Sequence, residues 1–298
     1  MAGRDRRALA GLALMTLAMQ VVPVSDALAK LLTASLPVMM IAFLRPCVQG
    51  LLLASLAMLR GRPPLRHRAA VFSRHQALRG LLWWLATALF FLSLREHAIP
   101  AALALFFTGP IFMALAAPVL LREKFDWRVG LAAAASFAGV LLILRPDAGG
   151  WRLGILWALG AGICYALYLI ETRRVAVASA DLPAGDIAFG GAFWAGCCGL
   201  PFALAAWQAI PPQAWPLIVG MGAASAVGHI LIAAAAQRAQ ASELAPYHYT
   251  EMAGALAVSY VFFADVPAPA VWAGIAMILG SSLWFATTRR AQAEPSVG

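Results

Sequence analysis

Long apolar stretches, separated by short polar or proline-containing joints, make up most of the 298-residue chain. The apolar runs are continuous, which favours helices over the alternating strands of a membrane β-barrel. A helix needs about 20 apolar residues to cross a bilayer. The pattern therefore predicts an all-α membrane protein with ten transmembrane helices, at Ala8–Leu31, Pro37–Leu59, Leu78–Leu94, Ala98–Leu121, Val129–Leu144, Leu153–Ile170, Asp186–Ala209, Ala214–Ala236, Leu244–Ala264 and Pro269–Thr287.

The positive charges predict how these segments are oriented. Most of the 22 Lys and Arg residues fall at the N-terminus and in alternate joints, above all around the joint between the second and third segments, to which we assign six arginines from Arg60 to Arg79. By the positive-inside rule, both termini are expected in the cytoplasm. Arg4 to Arg7 followed by an apolar run also imitate a secretory signal, but the run from Ala8 to Val24 is longer than a usual signal core, so we interpret it as the first helix.

Composition excludes several classes of protein. Hydrophobic residues make up 62% and charged residues 12%, values outside the range of soluble enzymes. The net charge of +9 follows from topology and does not require a nucleic-acid partner. Neither a nucleotide-binding G-x-x-x-x-G-K-[ST] motif nor an H-E-x-x-H motif occurs, so we expect neither an ATP-driven pump nor an enzyme. The four cysteines lie in apolar runs without ligand spacing, and no metal or cofactor is predicted.

The two halves of the chain, 1–150 and 151–298, repeat the same order of segments. With a shift of 142 residues, Arg79–Gly109 aligns with Met221–Glu251 without a gap and pairs Thr87 with His229. Because each half holds five segments, an odd number, the second copy is turned over in the membrane. The sequence thus predicts two five-helix inverted repeats with a binding site near the midplane.

The ninth segment carries the most unusual polar residues. His248 and Glu251 are three residues apart and are expected on one helix face, with Tyr247 near Glu251. A carboxylate at membrane depth costs about 2.5–3.5 kcal/mol on insertion scales, so Glu251 should face protein or water. Two interpretations stay open: contact with a substrate ammonium group or with protons, and a structural hydrogen bond between helices.

Further candidates lie in the third, sixth and eighth segments. His229 and its repeat partner Thr87 are polar and mid-helical, which predicts a shared cavity face. Trp84 lies one turn from Thr87 and is a candidate cavity wall. Tyr165 and Tyr168, three residues apart, would share a helix face and contact a substrate. The alternatives are ordinary packing and the aromatic belt at the membrane surface.

Two helices supply the remaining candidates. The flexible thioether of Met15 suits a promiscuous pocket, although it suits packing as well. Asp26 and Lys30, four residues apart, can form a pair at the outer mouth. Arg45, inside the second segment, is expected either to extend to the interface or to neutralise an acidic partner such as Asp26.

The layout resembles a known family. The resemblance lies in the two five-helix halves, in the run Leu-Leu-Arg-Glu-Lys-Phe-Asp-Trp at 120–127 and in its counterpart Phe-Ala-Asp-Val-Pro at 263–267. In these features the chain resembles the drug/metabolite transporter superfamily, above all its EamA-type exporters. The resemblance implies a central cavity formed by helices 1, 3, 4, 6, 8 and 9, with helices 5 and 10 holding the halves together.

The resemblance also implies a function. Similar proteins are bacterial inner-membrane exporters of amino acids, including aromatic ones, and of other metabolites. We therefore predict a monomeric secondary transporter that exports small zwitterionic metabolites by alternating access, with Met15, Trp84, Thr87, Tyr165, Tyr168, His229, Tyr247, His248 and Glu251 as substrate contacts. The alternatives are a sugar-phosphate or nucleotide-sugar exchanger, which would need cationic side chains in the cavity, and a broad drug or metabolite efflux carrier. Proton coupling stays open.

Overall fold

The computed structural model describes residues 2–61, 71–93, 105–124, 126–144, 153–263 and 269–293, and these residues are predominantly helical. A single 3₁₀ turn, Pro212–Ala214, precedes the eighth helix. The helices are α1 (Ala2–Leu32), α2 (Val38–Leu59), α3 (Arg74–Ser93), α4 (Gly109–Leu121), α5 (Trp127–Leu144), α6 (Leu153–Ala178), α7 (Ala184–Ala205), α8 (Trp215–Ala236), α9 (Ala241–His248), α10 (Glu251–Phe263) and α11 (Pro269–Ala293).

Five stretches of the described chain are long and apolar enough to cross a membrane: Arg6–Leu32, Val38–Leu59, Gly154–Ala178, Ala184–Ala205 and Pro212–Ala236. Shorter apolar helices cover Gly109–Leu121, Trp127–Leu142 and Trp272–Phe285. The structure is thus that of an all-helical membrane protein. Part of the fourth predicted segment, from Ala98, and the end of the ninth, at Ala264, fall outside the described residues.

Prolines and glycines set several helix boundaries. Pro37 and Pro183, both with extended backbone angles, immediately precede α2 and α7. Proline has no backbone N–H to donate. This costs nothing at the start of a helix, because the first N–H groups have no acceptor within the helix. Past the end of α2, Gly61 adopts a left-handed conformation with φ +66°, which costs glycine little.

The ninth predicted segment is two helices, α9 and α10, and the prediction of one continuous helix is corrected here. The chain tightens at Tyr249 and Thr250, where backbone bonds span three residues instead of four. The Thr250 hydroxyl donates to the carbonyl of Tyr247 at 2.6 Å, and Gln20 of α1 donates to the carbonyl of Thr250 at 3.0 Å. Side chains thus satisfy backbone groups that an interrupted helix leaves open, as membrane-buried breaks require.

The fourth predicted segment breaks at the equivalent place. The Thr108 hydroxyl donates to the carbonyl of Leu105 at 2.7 Å, just before α4 begins. The two breaks touch, since the Tyr249 hydroxyl donates to the carbonyl of Phe107 at 3.0 Å and the two rings lie 6.0 Å apart. Phe107 and Tyr249 are repeat partners under the 142-residue shift. We call this contact the crossing point.

The halves exchange equivalent contacts throughout. Helix α1 packs on α8 as α6 packs on α3, and α2 contacts α8 as α7 contacts α3. Helix α4 packs on α6 as α10 packs on α1. Helices α2 and α7 pack on each other, and so do α5 and α11. This pattern is that of a two-repeat architecture, and it leaves α1, α3, α6 and α8 around the centre.

The approach of α3 to α7 depends on Gly80. A Cβ atom on Gly80 would lie 2.4 Å from the Cβ of Trp194 and 2.7 Å from the backbone nitrogen of Ala195. Gly80→Ala should therefore separate α3 from α7 and destabilise the fold by about 1–3 kcal/mol, measured as a lower thermal midpoint of the purified protein. Gly130→Ala is the matched control, because nothing lies within 4 Å of a Cβ there. Equal midpoints in the two variants would contradict the expectation.

Candidate functional site

Aromatic rings from α3, α6, α8 and α9 meet at the centre of the bundle. Trp83 lies 4.3 Å from the ring of His229 and 6.2 Å from Tyr168. Tyr168 stacks on Tyr165 at 5.7 Å, and Tyr165 meets His248 edge-on at 6.1 Å. We call these five residues the aromatic cluster.

The cluster follows from helical spacing within α6. Tyr165 and Tyr168 are three residues apart, so both project from one face of α6, towards α3 and α8. The sequence predicted both tyrosines and both histidines. It missed Trp83. Only one of two adjacent tryptophans can face the centre, and the pattern favoured Trp84.

The two histidines present hydrogen-bond acceptors to this cluster. His248 Nδ1 lies 3.1 Å from the carbonyl of Leu244, and His229 Nδ1 lies 2.8 Å from that of Ser225. A ring nitrogen facing a carbonyl must carry the proton, so in the neutral ring Nε2 is an acceptor. Nε2 of His248 is buried and has no hydrogen-bond partner among the described residues. A ligand with an N–H or O–H group would satisfy it.

Glu251 adds a carboxylate to the same region. It is the first residue of α10, immediately beyond the break, and its side chain is only partly buried. None of the described residues forms an ion pair with it. Asp26, Arg45 and Tyr165 lie within electrostatic range of it. The negative charge of Glu251 is therefore available to a positively charged ligand.

Of the two alternatives for Arg45, the structure shows the second, in which it neutralises Asp26. The two side chains form an ion pair at 3.0 Å, and Asp26 is half exposed while Arg45 is largely buried. Arg45 Nε also lies 3.5 Å from the Ser225 hydroxyl, which donates to Gln49 at 2.7 Å. This network links α1, α2 and α8 and places a neutralised pair beside His229.

Arg79 is a buried cation that the sequence assigned to a cytoplasmic joint. Arg79 lies one turn of α3 before Trp83, and only 1% of its surface is exposed. The guanidinium donates to the Thr172 hydroxyl at 2.8 Å, to the carbonyl of Ile187 at 2.6 Å and to the Tyr168 hydroxyl at 3.3 Å. The central guanidinium carbon, Cζ, lies 5.2 Å from the centre of the Tyr168 ring. Arg79 thus belongs to the wall of the site rather than to a surface loop.

The predicted cytoplasmic end is closed by Glu123, which follows α4. Its carboxylate accepts hydrogen bonds from the backbone nitrogens of Ala241 and Ser242 at 2.9 and 3.2 Å and from the Ser242 hydroxyl at 2.9 Å. It also pairs with Arg173 of α6 at 3.4 Å. A carboxylate at the N-terminus of α9 is favoured by the helix dipole. We call this set the Glu123 latch; it joins the first half to the second.

The other predicted contacts lie outside the aromatic cluster. Trp84 and Thr87 line a small pocket with Arg45 and Pro46, and the Trp84 ring packs 4.5 Å from Phe202. Met15 is 1% exposed within the main apolar core. The Tyr247 hydroxyl donates to the carbonyl of Ser282 in α11 at 2.9 Å.

Taken together, these residues carry the chemical groups that recognise a small organic molecule. Aromatic faces provide stacking surfaces, histidine nitrogens accept hydrogen bonds, and Glu251 and Arg79 carry opposite charges at different places. Among the described residues no group of His, Cys, Asp and Glu has the arrangement of a metal site.

Comparison with solved structures concerns the fold. One solved protein structure superimposes with a TM-score of 0.77 over 95% of this chain and 99% of its own, at 17% identity. At that identity the similarity shows a shared architecture and nothing about the substrate.

Two curated relatives are bacterial transporters. A protein of Rickettsia prowazekii named S-adenosylmethionine uptake transporter is 23% identical over 88% of this chain and 87% of its own length. A riboflavin transporter of Vibrio cholerae is 28% identical, but the chain matches only 59% of that protein's length.

A riboflavin transporter of Rhizobium johnstonii is 28% identical over 77% of this chain and 72% of its own.

The family model for EamA-like transporters matches twice, at residues 9–145 and 152–287. These two matches cover most of the chain and follow the two halves of the fold. The chain therefore belongs to the EamA-like transporter family.

Proposed function

We propose that this protein is a secondary transporter of the bacterial inner membrane whose substrate combines a planar aromatic ring with a positively charged group. S-adenosylmethionine, with its adenine ring, sulfonium and ammonium, is the compound that fits this description best. In this proposal the chain has ten spans, both termini are cytoplasmic, and the halves 1–150 and 151–298 are inverted copies.

One observation carries the proposal: the Glu251 carboxylate lies beside an aromatic cluster and has no ion-pair partner among the described residues. Even a partly buried carboxylate at membrane depth is costly when it has no partner, and a cationic substrate would neutralise it. A neutral substrate would leave that cost in place. The site therefore favours a cation over an uncharged flavin.

In the proposed complex, Tyr165, Tyr168 and Trp83 stack on the substrate ring. His229 and His248 accept hydrogen bonds from it, and Glu251 binds its positive charge. Trp84 and Thr87 lie at the entrance from the outer side, while Met15 and Tyr247 support the walls. This assignment keeps Tyr165, Tyr168, His229, His248 and Glu251 as substrate contacts and adds Trp83, whereas Met15, Trp84, Thr87 and Tyr247 act around the site without binding the ring.

The relatives support metabolite transport but do not favour amino-acid export. Those named above are two riboflavin transporters and one S-adenosylmethionine uptake transporter. The amino-acid hypothesis therefore enters the test as a competitor. Transport by alternating access is supported by the two-repeat packing and by broken helices that meet at the crossing point.

The test is uptake into proteoliposomes made with the purified protein. Labelled S-adenosylmethionine, riboflavin and tryptophan would be offered separately, with and without a pH gradient. We expect saturable uptake of S-adenosylmethionine above that of empty vesicles. If tryptophan or riboflavin crosses and S-adenosylmethionine does not, the proposed substrate is wrong. A dependence of the rate on the gradient would show proton coupling.

Tyr249→Phe tests whether the crossing point takes part in the transport cycle. Loss of the hydroxyl leaves the carbonyl of Phe107 without its partner, which costs about 1–3 kcal/mol. We expect a lower thermal midpoint and a several-fold lower maximal rate with an unchanged KM. Rates and midpoints would be measured on the same preparations.

Tyr247→Phe is the matched control, because it loses a similar hydrogen bond to the carbonyl of Ser282 in α11. This variant should lose stability but keep its maximal rate. Equal loss of rate in both tyrosine variants would mean that only stability changed, and the crossing point would have no special part in the cycle.

A further inference from the structure

The most unusual charge in the described part of the molecule is the guanidinium of Arg79. It is buried beneath the aromatic cluster, yet no described carboxylate lies within ion-pair distance of it. Its partners are neutral: a threonine hydroxyl, a glutamine, a backbone carbonyl and a tyrosine hydroxyl. A buried cation held only by neutral groups lacks the anion that would compensate its desolvation.

The surrounding sequence makes room for this cation. A Cβ atom on Gly191 would lie 2.7 Å from Nη1 of Arg79, and one on Gly190 would lie 2.6 Å from Nε2 of Gln76. Both glycines belong to α7, opposite α3. Small residues at these two positions therefore allow an arginine and a glutamine to enter the interface of three helices.

One edge of the guanidinium forms only a long hydrogen bond. Nε and Nη1 form bonds of 2.6–3.0 Å, whereas Nη2 has the Tyr168 hydroxyl as its only described acceptor, at 3.3 Å. Tyr168 itself belongs to the aromatic cluster. The weakly bonded edge thus faces Tyr168, the residue through which Arg79 contacts the aromatic cluster.

We infer that Arg79 binds the carboxylate of the substrate. The inference rests on the proposed function, because it names the group that binds the other end of the same molecule. Arginine binds carboxylates through two parallel hydrogen bonds, which a hydroxyl and an amide cannot reproduce. When the cytoplasmic ends of α3, α6 and α7 separate, the carboxylate replaces Tyr168 and Gln76 as the acceptor.

This arrangement defines the class of substrate. Glu251 binds the positive end, the aromatic cluster binds the ring, and Arg79 binds the negative end. The site then selects an amino acid that carries a ring and excludes the corresponding amine without a carboxylate.

The test compares two probes that differ only in the carboxylate: S-adenosylmethionine and its decarboxylated form. In proteoliposomes, the wild-type protein should have a KM at least tenfold lower for S-adenosylmethionine. Arg79→Gln should raise that KM at least tenfold and leave the KM of the decarboxylated probe within twofold. Arg79→Lys keeps the charge without the planar fork and should have an intermediate effect.

Arg238→Gln is the control, because Arg238 is exposed, lies in the turn after α8 and bonds through its guanidinium only to the carbonyl of Ala234 near the end of that helix among the described residues. It should change neither KM. If Arg79→Gln raises both values equally, Arg79 is structural and the inference is wrong. It is also wrong if Arg79→Gln changes neither value, or if it fails to fold while Arg79→Lys transports both probes like the wild type.

Failure of the proposed function gives a different result, since neither probe would then enter wild-type vesicles faster than empty ones. Arg79 is then judged by the thermal midpoint of the purified protein with tryptophan or tryptamine, a second pair that differs in the carboxylate. The inference is supported if tryptophan raises the thermal midpoint of the wild type, tryptamine does not, and Arg79→Gln loses the effect of tryptophan. Any other outcome overturns it.

Discussion

Glu251→Gln is expected to raise the KM for S-adenosylmethionine by tenfold or more and to leave any riboflavin transport unchanged. The substitution keeps the size of the side chain and removes its charge. A charge-assisted hydrogen bond contributes about 1.5–3 kcal/mol, which corresponds to a factor of about 10 to 150 in affinity. Uptake into proteoliposomes over a range of concentrations measures the change directly.

The control for this variant is Glu171→Gln. Glu171 is also a largely buried carboxylate, but it already pairs with His75 at 3.0 Å and with Arg174. Its loss should lower stability and leave the KM unaltered. A KM within twofold of wild type in Glu251→Gln would return Glu251 to a structural role and remove the main support for a cationic substrate.

Glu123→Gln is expected to open the predicted cytoplasmic end. The carboxylate holds α9 by three hydrogen bonds and Arg173 by an ion pair, and its side chain is 8% exposed. Removing one partner of such a pair costs about 3 kcal/mol or more. An equilibrium between closed and open states would therefore shift about a hundredfold towards the open one.

The shift can be measured as a distance between spin labels at Lys124 and Arg238, in a protein whose four native cysteines are replaced. The labelled pair flanks the Glu123 latch, and we expect a longer mean distance in Glu123→Gln. Glu243→Gln is the control, because it removes a carboxylate from the same turn, where Glu243 forms a capping box with Gln240. An unchanged distance in Glu123→Gln would show that the latch does not hold the closed state.

The position of the helices was largely predictable from the sequence. The apolar runs gave the positions of the helices because a bilayer requires long apolar helices. Their ends were less well predicted, since α1, α6 and α11 each extend about six to eight residues beyond the predicted segment. The fourth and ninth segments also contain breaks that the pattern did not predict. At the break in the ninth segment, Gln20 of another helix donates a hydrogen bond to the carbonyl of Thr250, and local spacing contains no information about such a partner.

The candidate site was predicted in part, for reasons that the individual residues make clear. Tyr165, Tyr168, His229 and His248 were found because polar and aromatic groups at membrane depth tend to face the protein interior. The choice between Trp83 and Trp84 needed the rotation of α3 about its axis. Arg79 was missed because arginines near helix ends usually determine topology and reach the surface.

By itself, the sequence determined that this chain is a helical membrane protein made of two repeats, since the length and order of apolar runs are local properties. The tertiary structure decided which side chains meet. Long-range contacts turned Trp83 inward, broke two helices where they touch and buried Arg79 without a carboxylate among the described residues. Such contacts join residues that are far apart in the chain, so spacing along the sequence could not reveal them.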